Sequence, residues 1–108
     1  MRIGFRTSFQ SDAKSVVDFA RKKIDLNSVV EDRVFYFVDG KSHSKTNPYV
    51  LKDFFDSIEL KESEQSIQLL FDIRPGANHY WGDVVVDIVR AIVKKTASPA
   101  FFFKPGDN

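Results

Sequence analysis

The apolar positions change period along the chain, and each change marks an element. Between residues 2 and 9, Ile3, Phe5, Thr7 and Phe9 fall on one side and Arg2, Gly4, Arg6 and Ser8 on the other. That alternation is a strand with one wet face. Ser11 then reads as a helix N-cap. Ala13, Val16, Val17, Ala20 and Ile24 recur at helical spacing after it. Arg21, Lys22 and Lys23 fill the last turn, where the helix dipole favours cations.

Val34–Val38 is continuously apolar and ends at Asp39–Gly40. Such a run predicts a central strand covered on both faces. A polar stretch, Lys41–Thr46, follows. Asn47–Pro48 has the look of a helix start, Asn as cap and Pro at the first helical position. Val50, Leu51, Phe54, Phe55 and Ile58 supply that helix with an apolar stripe, and residues 61–66 read as a surface connection. Ile67, Leu69, Phe71 and Ile73 alternate as a third strand. Arg74–Gly82 is a loop, and Asp83 caps a helix from Val84 to about Lys95. Its apolar residues cover most of the circumference, so it is expected to be deeply buried, with Asp87, Arg90 and Lys94 as the wet stripe. Ala100–Phe103 is a short last strand.

The resulting order, β-α-β-α-β-α-β, predicts an α/β fold. It would be a small single-domain sandwich, with about four strands in a mainly parallel or mixed sheet and three helices. A length of 108 residues suits one domain. The alternative makes Ser57–Lys61 a strand in a hairpin with residues 66–73, giving an α+β fold.

A parallel sheet has consequences for chemistry. The loops after its strands would meet at the carboxyl edge, where ligands bind in open α/β sheets. Both histidines, His43 and His79, would lie there with Lys41, Lys45, Arg74, Tyr80, Trp81 and Asp83. The connection Arg74–Asp83 is long against the usual length of about 2–6 residues, a mark of functional loops. Tyr80 and Trp81 have the profile of interface anchors, or else fold inward to plug the core.

A catalytic reading would take His43 or His79 as general base, oriented by Asp39, Asp72 or Asp83, with Ser8, Ser11, Ser42 or Ser44 as nucleophile. No Ser sits in a Gly-x-Ser-x-Gly elbow. The histidines are not at metal-ligand spacing, so no metal is predicted. No cofactor is predicted either, because the turn Thr7–Asp12 has no Gly to cradle a phosphate.

Composition narrows the partners. No Cys is present, which excludes a disulfide scaffold and a thiolate site. The net charge of +1 and the dispersed basic residues argue against nucleic acid. No apolar run approaches the roughly 20 residues of a membrane helix, and Met1–Phe9 lacks a signal-peptide core. The expectation is a cytoplasmic protein. Charge is uneven by segment: Asp53, Asp56, Glu59, Glu62 and Glu64 against Lys61 give −4 over residues 53–64. That run is a solvated face or a docking surface for a basic partner. Phe101, Phe102 and Phe103 in a row require a strand covered on both faces, or an edge strand used for dimerisation or strand addition.

In size, lack of catalytic motifs, acidic segment and aromatic loops, the chain resembles the small single-domain immunity and inhibitor proteins of bacteria. The resemblance implies a non-enzymatic module that binds and occludes a toxin or enzyme. Tyr80 and Trp81 would anchor it, beside His79 and Arg74. Asp53, Asp56, Glu59, Glu62 and Glu64 would match a basic partner surface. The alternative is a small hydrolase or transferase using His43, His79 and Asp83. The second alternative is a homodimer through the C-terminal strand.

Overall fold

A computed structural model describes residues 1–9 and 13–106, apart from the side chains of residues 13, 30–34 and 46–48. The Ser11 cap therefore lies outside the described residues. In chain order the elements are β1 (Arg2–Ser8), α1 (Ala13–Lys23), β2 (Val29–Val38), β3 (Lys41–Val50), a 3-10 turn (Leu51–Asp53), β4 (Phe55–Glu62), β5 (Ser66–Ile73), α2 (Trp81–Thr96) and β6 (Ala100–Phe103).

Four strands form one sheet in the order β4-β5-β1-β6, every neighbouring pair antiparallel. With β2 and β3 set aside, the chain runs β-α-β-β-α-β, the ferredoxin-like split βαβ plan. Each helix links two strands that run the same way with a third between them. The expected parallel or mixed sheet with three helices is thus corrected: the described residues hold two α-helices and six strands. The residues assigned to the second helix form the end of β3, the 3-10 turn and the start of β4. The alternative hairpin of 57–61 with 66–73 is the arrangement the fold adopts, with a register shift between Phe55 and Ser57.

One sheet face carries the core. Phe5, Leu69 and Phe71 project from β1 and β5 onto α1 and α2. Against them pack Val16, Val17, Ala20 and Ile24 of α1, and Val84, Val85, Ile88, Val89 and Ile92 of α2. Phe55 and Phe71 meet at 5.5 Å between ring centroids. Apolar burial of this kind is the main force holding the two layers together. The helix α2 starts at Trp81, before the expected Val84, and Asp83 lies in its first turn with no capping bond from Tyr80. A carboxylate there still favours the dipole. Val86 is exposed, so α2 is less enclosed than its apolar circumference suggested.

Thr7 is a buried polar residue of β1. Its Oγ1 donates to the Pro99 carbonyl at 3.2 Å and lies 3.4 Å from Thr96 Oγ1. This ties the turn after α2 to the sheet. That turn is made by Ala97 at φ 53°, whose N–H bonds the Val93 carbonyl. No described helix is long and apolar enough to cross a membrane.

Candidate functional site

Among the described residues, β2 and β3 pair only with each other. Ten residues at about 3.4 Å each make a ribbon of roughly 30 Å. It accounts for an elongated molecule of 55 × 29 × 23 Å. Its turn is Asp39–Gly40, both at positive φ (51° and 76°), between the opposed residues Val38 and Lys41. That is the geometry of a type I′ turn, which matches the twist of two strands and favours Asp-Gly.

The base of the arm is tied down. Leu51 N–H bonds the Ser28 carbonyl and Lys52 N–H the Leu26 carbonyl, both at 3.0 Å. Val50 N–H donates to Asp53 Oδ2 at 3.2 Å. Tyr49 meets the buried Phe54 edge-on at 5.5 Å. Among the described residues none of these ties reaches the tip. The run Val34–Val38, expected to be a doubly covered central strand, is the outer part of this arm. Phe35 and Phe37 are 66% and 75% exposed.

The register sorts the tip into two faces. Phe35 opposes Ser44 and Phe37 opposes Ser42, so between residues 35 and 44 one face presents two phenyl rings among hydroxyls. The other carries Tyr36 opposite His43 and Val38 opposite Lys41. Tyr36 and His43 stack at 5.4 Å with 18° between their planes. At the tip one face thus pairs phenyl rings with hydroxyls, while the other is aromatic and basic.

A second exposed apolar surface lies at the β6 end of the sheet. Phe101, Phe102 and Phe103 are exposed. The reading of a strand covered on both faces is corrected here: β6 is an edge strand, paired to β1 alone. Between β6 and the start of α2 runs an open groove of about 550 Å³, walled by Trp81, Val85, Val86 and Phe102.

The residues singled out in the sequence are dispersed. His43 sits near the arm's tip, and His79 lies in the turn before α2, its ring tilted by 34° against that of Tyr80 at 4.3 Å. An antiparallel sheet has no common carboxyl edge, so the reason for grouping the two histidines falls away. No group of three His, Cys, Asp or Glu residues able to hold a metal occurs among the described residues. Tyr80 and Trp81 are partly buried and pack against the core, as a plug would, though Trp81 also faces the groove. Arg74 follows β5, where its N–H bonds the Phe54 carbonyl, and Nη1 reaches the Lys52 carbonyl at 3.4 Å. Asp56, Glu59 and Glu62 lie exposed on β4, the other edge of the sheet; Glu64 is in the β4–β5 turn, and Asp53 is in the 3-10 turn. Glu59 pairs with Arg2 across β5 at 3.8 Å, both side chains about half exposed.

Phe35 and Phe37 were not among the expected site residues. The signal for them was Asp39–Gly40 after an apolar run, which marks a hairpin. Compared with known proteins, the chain matches no family model, no curated protein and no solved structure.

Proposed function

We propose that this chain is a non-enzymatic protein-binding module of the inhibitor type, which docks through the β2–β3 arm. The observation that carries this reading is the exposure of Phe35 and Phe37 on one face of the arm. A two-stranded ribbon is marginally stable alone in water and gains from a third layer. Aromatic side chains with few rotamers are the usual energetic centre of a protein interface. An arm about 30 Å long reaches into a cleft and occludes it, which is how an inhibitor of an enzyme or toxin acts without chemistry of its own. The acidic residues of β4 add a separate surface for a basic partner and raise the encounter rate.

The test is affinity capture from the native host with three baits: the wild type, Phe35→Ser/Phe37→Ser and an exposed control on α2, Lys94→Ser. The expected result is one stoichiometric protein that is held by the wild type and the control and lost by the arm variant. A partner held equally by all three would remove the arm from the proposal.

A further inference from the structure

The two edges of the main sheet are treated differently. The edge strand β4 carries Asp56, Glu59, Lys61 and Glu62 and a register shift beside Phe55. Charges and bulges are the usual devices that stop an edge from pairing with another chain. The edge strand β6 has neither: Ala100–Phe103 contains no charge and no proline, and no described strand pairs with its outer side. We infer that β6 pairs antiparallel with β6 of a second copy, joining two four-stranded sheets into one of eight. This interface goes beyond the arm and does not depend on it.

The sequence around β6 suits self-pairing. It reads Pro99-Ala-Phe-Phe-Phe-Lys-Pro105, nearly the same in both directions about Phe102. A twofold interface brings a surface against itself, so a strand that pairs with its own copy must be self-complementary. Proline cannot donate to a ladder. Pro99 and Pro105 therefore bracket the five residues that can pair. In an antiparallel pair, residues directly opposite share a face. Centring the twofold on Phe102 sets Phe101 opposite Phe103 of the second copy and Ala100 opposite its Lys104. Both prolines then stay outside the ladder. Centring on Phe101 would place Pro99 opposite Phe103, and centring on Phe103 would place Pro105 opposite Phe101. The two Lys104 side chains lie at opposite ends of the Phe102-centred ladder, so no like charges meet. Since β4 is protected, head-to-tail growth is disfavoured and assembly closes at two copies.

The surface is of modest size. At about 200 Å² for a fully exposed ring, Phe101, Phe102 and Phe103, exposed by 67%, 55% and 36%, present roughly 300 Å² per copy. Met1 and Val86, also exposed, continue it along the groove. A standard stable interface covers about 800 Å² on each partner. The dimer is therefore weak, and its population rises with concentration.

The absence of cysteine gives a direct test. In Phe102→Cys the two new thiols face each other across the twofold, within the Cα separation of about 4.4–6.8 Å that a disulfide spans. Mild oxidation should convert this variant to a covalent dimer, while Phe37→Cys on the arm gives only the slow background of chance collisions. In sedimentation, the wild-type mass should rise from 12.4 kDa toward twice that value with concentration, and Phe102→Glu should remain at the monomer mass. Because Phe102→Glu could disturb β6 itself, the cysteine variant stands as the independent reading. Overturning results would be a wild type that stays monomeric up to its solubility limit, cross-linking no faster at residue 102 than at 37, or a dimer abolished by Phe37→Glu and untouched by Phe102→Glu.

Discussion

The ring of Phe103 lies across Gly4, its opposite residue in the β1–β6 register, so closely that a Cβ on Gly4 would overlap it. Glycine weakens a strand because it has no side chain to pack and more backbone freedom to lose. Here an aromatic ring from the neighbouring strand fills the gap. Gly4→Ala should push the ring off β1 and destabilise the fold by about 1 kcal/mol, the low end of overpacking costs because an edge ring has room to swing. In a Phe103→Ala background the same substitution should be neutral or stabilising. Urea denaturation of the two single variants and the double variant measures this coupling. Additive effects would contradict it.

Thr7 makes a second, independent link between β1 and the turn before β6. Thr7→Val keeps the shape and removes the hydroxyl that donates to the Pro99 carbonyl at 3.2 Å. Pro99 is exposed, so water can replace the lost donor in part. The expected cost is about 1 kcal/mol, read as a lower denaturation midpoint with an unchanged slope. Thr7→Ser should lose less than half of that.

The arm and the sheet should open separately. Strand β5 is buried in the middle of the fold, whereas the arm tip has only its own ladder. Amides of residues 34–45 should exchange with solvent much faster than those of residues 67–73 in the free protein. Gly40→Val places a β-branched side chain at φ 76°, a region that costs such residues about 1–2 kcal/mol. Exchange in the arm should speed up further while β5 stays unchanged. Equal slowing or quickening in both regions would show that arm and sheet form one cooperative unit.

Trp81 was expected to be a partner anchor, and its contacts now give it a different first duty. It packs against the core at the start of α2 while walling the groove beside Phe102. Trp81→Ala should cost about 2–3 kcal/mol of stability, below the range for a fully buried Trp because part of the ring is open to solvent. Chemical denaturation gives the value. A loss under about 0.5 kcal/mol, typical of an ordinary surface site, would return Trp81 to the role of a free anchor.

Much of the main sheet and both helices could be read from the sequence because burial imposes a period. Residues 2–9 and 67–73 alternate since one face meets the helices, and Val16, Val17, Ala20 and Ile24 repeat at helical spacing since one stripe meets the sheet. The segment 34–62 could not be read this way. An apolar run looks the same in sequence whether the fold covers it or leaves it exposed, so Val34–Val38 reads as a central strand. The polar Lys41–Lys45 gave no strand signal because both faces of the arm are wet. Asn47–Pro48 suggested a helix start but lies in β3, whose outer side is unpaired and tolerates a missing donor. Val50, Leu51, Phe54 and Phe55 mimic a helical stripe because a strand end, a 3-10 turn and a strand start follow one another.

The site was harder to read than the fold for the same reason. His43, His79 and Asp83 were grouped by a parallel sheet, and once β4 and β5 form a hairpin nothing in the topology brings them to one edge. Phe35 and Phe37 carry no motif. Their standing comes only from the ladder Phe35–Ser44 and Phe37–Ser42, which places both rings on one face.

The measurement that bears most directly on the docking role of the arm is site-specific photo-crosslinking in the native host. A photoreactive residue is placed at position 37, and in parallel at the exposed position 94 of α2. A single discrete protein adduct at 37, lost when Phe35 is also changed to Ser, is the result expected of an arm seated in a partner's cleft. Adducts at 37 no different in pattern or yield from those at 94 would mean that the arm tip meets solvent and chance neighbours alone, and the docking role would have to be given up.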